Sequence, residues 1–201
     1  MKLNNLKVTS KNILLIGILF LILPNISALI ISEIMYAPLE SEFYNEYIEI
    51  YNDGDSYIDL TNWTVCGDAL FSGYIDHGDL EKLKSNDSII LTQGNYAMIT
   101  DGGSGTEVYS NFNVNANALT MHVNAASLCG GLVNSGETIL LKDYSGNLIN
   151  SVSYDSSLAY NNDKSLQICS NSWIEKTPTP GSANSCAGEI ANNISNNNSN
   201  N

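Results

Sequence analysis

Two histidines and 21 carboxylates are the side chains here with the means to do chemistry. His77 sits in Asp76-His77-Gly78-Asp79-Leu80-Glu81, where metal-ligand and acid–base residue types crowd together. A working site would need further groups converging on it from separate elements. Without them the segment reads as a solvated acidic loop. His122 lies in the apolar strand pattern Leu119-Thr120-Met121-His122-Val123 and reads as structural. Asp53-Gly54-Asp55 begins as a calcium loop begins, but it lacks the extended ligand series and the closing Glu. It reads as a hairpin turn. Glu33, Glu46 and Glu49 can approach one another if their strands pair. Gly102-Gly103-Ser104-Gly105 fits neither a nucleophile elbow nor a phosphate loop. There is no zinc-protease helix, no dinucleotide fingerprint and no Cys/His pair placed for nucleophilic catalysis. No catalytic, cofactor-binding or metal residue is assigned on this basis.

The elements around these residues are short strands. Tyr47-Ile48-Glu49-Ile50-Tyr51 alternates at period two, with Ile48 and Ile50 on one face, which predicts a half-buried strand. Ile30–Tyr36, Ile58–Val65 (containing Trp63), Ser88–Leu91, Tyr96–Thr100, Leu119–Val123, Thr138–Lys142, Leu148–Tyr154 and Ser165–Cys169 are further strand candidates. Turn formers such as Gln93-Gly94-Asn95, Asn134-Ser135-Gly136 and Ser145-Gly146-Asn147 separate them. No sustained helical period exists. Many short strands at such spacing predict an all-β sandwich or barrel. Asp101–Ala118, rich in Gly, Ser and Asn, reads as a long loop.

The ends and the charge bound the setting. Lys2, Lys7 and Lys11 precede the apolar run Ile13–Leu23, and Pro24 and Ile26-Ser27-Ala28 follow it. This order predicts a secretory signal peptide over residues 1–28, with an uncleaved membrane anchor as the alternative. The folded domain is then 29–186. The Asn/Ser-rich tail 187–201 has too few apolar groups to offset its ordering entropy and is expected to be disordered. Export leaves five lysines against 21 acidic residues, a net charge of −16, with no arginine anywhere. Such a surface repels polyanions and lacks the guanidinium fork that reads phosphate and guanine edges. Lys82, Lys84, Lys142, Lys164 and Lys176 form no stripe, so no duplex nucleic acid is expected as a partner. Asn62-Trp63-Thr64, Asn86-Asp87-Ser88, Asn193-Ile194-Ser195 and Asn197-Asn198-Ser199 fit the glycosylation pattern, although an Asn-rich chain produces such matches by chance.

Four cysteines, Cys66, Cys129, Cys169 and Cys186, lie in the exported part, and none forms a Cys-x-x-Cys pair. An even number in a secreted chain predicts disulfides rather than zinc. Three connectivities are open by count. Cys66–Cys129 with Cys169–Cys186 is favoured. The second pair closes a loop across the Thr-Pro-Gly segment, with an entropic contribution of roughly 3 kcal/mol. The first follows mainly by elimination.

The order of several blocks carries a resemblance. Ile31-Ser32-Glu33-Ile34-Met35-Tyr36, Glu46–Asn52, Asp59-Leu60-Thr61-Asn62-Trp63 and Leu91–Tyr96 are followed by Asn134-Ser135-Gly136-Glu137. Thr179-Pro180-Gly181-Ser182-Ala183-Asn184 closes the series. From about Ile30 to Asn184 the chain resembles the lamin-tail domain family, in the form found in exported prokaryotic proteins. Glu137 departs from the Asp more usual after that Gly. The resemblance implies an immunoglobulin-like β-sandwich with Trp63 as a plug between sheets, its indole N–H requiring an acceptor. It implies that Gly136, Pro180, Gly181 and Asn184 are structural, that the last motif turns the chain away from the sandwich, and that Glu33, Glu46 and Glu49 line a strand face and bond backbone or Tyr groups. Members of this family are mostly binding or display modules. The chain has no heptads, so it is not a lamin, and no ligand residues carry over.

The resulting expectation is a non-enzymatic, secreted or cell-surface module whose partner is an extracellular protein or polymer, with no cofactor. Two rivals stand beside it. One is an accessory module or a metal-dependent hydrolase using Asp76–Glu81. The other is a nucleic-acid-binding module, by family analogy alone.

Overall fold

The computed structural model describes residues 29–39, 45–72, 89–102, 113–123 and 125–186. Residues 1–28, the segment 76–81, residues 103–112 of the expected Asp101–Ala118 loop and residues 187–201 lie outside the described residues.

The first strand shows how the sequence sets the register. Ile31 and Ile34 both reach the core, a spacing of three that a regular strand cannot give. A β-bulge between Ile31 and Glu33 resolves this: Ile31 opposes Ile50, and Glu33 opposes Glu49. Ser32 is the additional residue. β1 (Leu29–Met35) and β2 (Tyr47–Asn52) thus send Leu29, Ile31, Ile34, Ile48 and Ile50 to one face and Glu33, Met35, Tyr47 and Glu49 to the other.

The chain continues through β3 (Ile58–Asp59), β4 (Thr64–Val65), β5 (Asp68–Ser72), β6 (Ile90–Leu91), β7 (Tyr96–Thr100) and β8 (Leu119–Val123). A 3-10 turn at Leu128–Gly130 precedes β9 (Gly136–Lys142), β10 (Leu148–Asp155), β11 (Ser165–Cys169) and β12 (Ser172–Lys176). The sheet order is β10-β9-β4-β5-β8-β7-β2-β1-β11-β12, with β3 paired to β6 separately. β7 and β8 are parallel, and the other pairs are antiparallel. The sheet curls until β10 faces β1, where the amide of Ile31 donates to Asn150 Oδ1 at 3.4 Å. The result is an all-β, immunoglobulin-like sandwich. Ile34, Ile48, Ile50, Leu60, Trp63, Val65, Ile99, Met121, Leu141 and Leu166 fill its centre. No helix among the described residues is long and apolar enough to cross a membrane.

Several expectations need correcting. Ile58–Val65 is two short strands rather than one. The chain turns at Leu60–Trp63, where the amide of Trp63 donates to Leu60 O at 3.0 Å and Asn62 takes φ 62°. Trp63 is still a buried core residue, as a large apolar ring adjoining a strand end should be. Asp53-Gly54-Asp55 is a turn, but β2 and β3 pair with different strands, so no hairpin joins them. β2 is buried on both faces rather than one, because Met35, Tyr47 and Met98 form a second small cluster, packed by Val114, on the side away from the main core.

Candidate functional site

The side of β1 and β2 that faces away from the main core holds two buried carboxylates. Glu33 and Glu49 are both 0% exposed and oppose each other across the strand pair. Glu33 Oε1 accepts from Tyr47 OH at 2.6 Å, Ser165 Oγ at 2.5 Å, Gln167 Nε2 at 3.1 Å and the Thr179 amide at 3.0 Å. Its Oε2 accepts from Thr179 Oγ1 at 3.0 Å. Glu49 accepts from Ser32 Oγ at 2.6 Å and from the amide of Gly181 at 2.6 Å. Burial pushes the Glu49 carboxyl up to about 8, and the neighbouring Glu33 adds to this against the pull of Ser32 and Gly181. Burial, then Glu33, raises the Tyr47 phenol well above its ordinary value.

The donors from Thr179 and Gly181 belong to the closing motif. That motif does not turn the chain away from the sandwich. It folds back as a strap across the second face of the sheet, because two buried carboxylates require donors there and the strap's amides and hydroxyl supply them. Asn184 Nδ2 donates to Ser32 O at 2.9 Å and Ile168 O at 3.0 Å, and the amide of Ser185 donates to Gln167 Oε1 at 2.8 Å. Asn115 meets the strap from the other side, its amide donating to Pro180 O at 3.0 Å. Gly181 has φ 77°, and a Cβ there would lie 2.4 Å from Ala118 Cβ. Gly181→Ala is therefore expected to cost about 1–3 kcal/mol through overpacking and the left-handed backbone. Urea unfolding should show a lowered midpoint, and an unchanged midpoint would contradict this account of the strap.

The structure joins Cys66 to Cys129 and Cys169 to Cys186, closing sequence separations of 63 and 17 residues. The second bond fastens the end of the strap to β11. Gly136 opens β9 at φ 114°, where a Cβ would come within 2.4 Å of Tyr154 O. Glu137 Oε1 accepts from the amide of Val133 and from Tyr154 OH, both at 3.0 Å. Glu46 Oε2 accepts from the amide of Leu132 at 3.1 Å, and so stands apart from the Glu33–Glu49 pair. His122 is buried on β8, its ring stacked on Phe71 at 5.5 Å with Nδ1 against Val123 O at 3.1 Å. Burial lowers its pKa. The expected acceptor for the Trp63 indole N–H is not found among the described residues. Nor is there among them a group of three or more His, Cys, Asp or Glu arranged to hold a metal.

Sequence reasoning missed a cleft of about 260 Å3 where the curled sheet's two ends approach. Tyr154 and Asp155 of β10, Ser157 and Leu158 of the following turn, Leu166 of β11 and Trp173 of β12 line it. Buried Tyr36 touches two of these residues: the Tyr36 and Tyr154 rings lie 4.5 Å apart, and Tyr36 OH donates to Leu158 O at 2.5 Å. β12 was missed as well, since the turn before it contains no glycine. Ser170 and Asn171 both adopt positive φ, 50° and 66°, as a two-residue hairpin with primed-turn geometry requires.

Comparison with known proteins matches the chain to one family. The family model described as Lamin Tail Domain covers residues 24–156, from β1 through β10. No curated protein matches the chain. β11, β12 and the strap lie beyond the matched span, yet Glu33 binds β11 and the strap directly to β1, and β12 pairs with β11. The chain belongs to the lamin tail domain family.

Proposed function

We propose that this chain is an exported, non-catalytic module that makes protein or polymer contacts at the cell surface or in the extracellular matrix. One observation carries the reading. The buried carboxylates, the groups best suited to acid–base work, are engaged by internal donors that fasten the strap, so their chemistry is used for the fold. The sandwich's end loops and terminal strands then provide its contact surface. The basic, apolar and small-residue succession over 1–28 supports export, and so does the pairing of all four cysteines. The excess of acidic residues argues against duplex DNA as the partner.

The test is expression of the full chain, leader included, in a secreting host, followed by N-terminal sequencing and thiol titration of the exported product. The mature chain should begin at Leu29 or within a few residues, with no free thiols. A membrane-bound product retaining Lys2–Leu23 would establish the anchor alternative. A cytoplasmic product with reduced cysteines would sink the reading.

A further inference from the structure

We propose that the cleft between the sheet's two terminal strands receives an arginine or lysine side chain from an extended basic segment of a protein partner. This rests on the contact-module reading and names the chemistry of its partner. Trp173 presents an indole to the cleft, and Asp155 places an exposed carboxylate at its rim. An aromatic face beside a carboxylate is an environment that favours a cation, tryptophan being the best ring for that contact. Ser153 and Ser157 add hydroxyls, and Ser157 also donates its amide to Asp155 Oδ1 at 2.8 Å, which fixes that carboxylate. Glu175 lies two residues beyond Trp173 on the same side of β12. Its Oε2 accepts from the amide of Ala159 at 2.9 Å and from Asn162 Nδ2 at 3.2 Å, adding negative potential near the cleft.

The surroundings fit an extended segment. β10 and β12 end the sheet order, so each has a strand neighbour on one side only. Such edges offer backbone donors and acceptors to an added strand. The cleft, at about 260 Å3, is below the roughly 300–1,000 Å3 typical of small-molecule sites and suits one inserted side chain. Charge decides the sign of the partner. The chain has 21 acidic residues against 8 basic ones, and no lysine lines the cleft. A second copy of this acidic chain is therefore a poor occupant, and a basic partner is drawn in from a distance.

The experiment is fluorescence anisotropy with the full exported chain at physiological ionic strength. The probe is a fluorescein-labelled peptide of alternating arginine and threonine, compared with the same peptide carrying citrulline, which keeps the shape and removes the charge. The arginine peptide is expected to bind about 10-fold more tightly than the citrulline one. Trp173→Leu and Asp155→Asn should each weaken it several-fold. Trp173 also packs on the core, so Ser153→Lys, at an exposed lining position, supplies an independent variant: its tethered ammonium should occupy the cleft and weaken binding too. Asp55→Asn, beyond the far end of β2, should leave affinity unchanged. Equal weakening by Asp155→Asn and Asp55→Asn would reduce the effect to bulk charge and overturn the proposal. Undiminished binding of the citrulline peptide, or no binding of either peptide, would overturn it as well. A neutral glucan occupying the Trp173 cleft in place of peptide would do the same. None of these results touches the export test, so the two readings fail separately.

Discussion

Glu33→Gln is expected to destabilise the folded domain by about 3–5 kcal/mol, out of proportion to the loss of one charge. Glu33 accepts from the phenol of Tyr47, the hydroxyls of Ser165 and Thr179, the amide of Gln167 and the backbone N–H of Thr179. All of these are donors, and a carboxylate is the side chain that meets them with acceptors alone. A glutamine replaces one oxygen with an NH2 group and points donors at donors. The hydroxyls can rotate away, but the Gln167 and Thr179 N–H groups cannot. The affected groups span β1, β2, β11 and the strap, so the loss should appear as a lowered urea midpoint for the whole domain. Loosening of residues 177–186 should appear as faster amide exchange at Thr179 and Gly181. If Glu33→Gln unfolds at the wild-type midpoint, the hub has been misread.

Much of the architecture was legible in the residues, and the failures have identifiable causes. Alternation in Tyr47–Tyr51 placed Ile48 and Ile50 together, and the structure keeps them in one core. The same alternation suggested a solvent-facing side, since Tyr and Glu are usual there. What covers that side is a strap more than a hundred residues downstream, and local periodicity carries no trace of it. The β-bulge at Ser32 was likewise written in the Ile31–Ile34 spacing, but it becomes readable only once both residues are known to be buried. β5 and β12 were missed because each follows a two-residue turn, Cys66-Gly67 and Ser170-Asn171, in which non-glycine residues accept positive φ. The Trp173 cleft could not be foreseen for a topological reason: its walls come from strands at opposite ends of the sheet order.

The second large effect is on pH. Glu49 has an ordinary value of 4.5 and is pushed up to about 8 in the fold, chiefly by burial. In the window between those values the native state holds a proton that the unfolded chain has released. Stability must then fall as pH rises. The contribution is complete below 4.5, declines across the window and is absent above about 8; it amounts to on the order of 5 kcal/mol. At neutral pH the proton therefore resides on Glu49. His122 acts in the opposite sense. Its lowered pKa means that the unfolded state takes up a proton first on acidification, so its contribution is lost as pH falls. The two slopes oppose each other over part of the range, and wild-type data alone would underestimate both. Glu49→Gln separates them. Its amide mimics the protonated acid, donating towards Ser32 Oγ while its oxygen accepts from the Gly181 amide. The variant should match the wild type at pH 5, exceed it by a few kcal/mol at pH 8.5, and retain only the rising slope of His122. Urea midpoints at half-unit pH intervals for both proteins provide the measurement. Parallel profiles from pH 5 to 8.5 would show that Glu49 is ionised in the fold and would overturn this account.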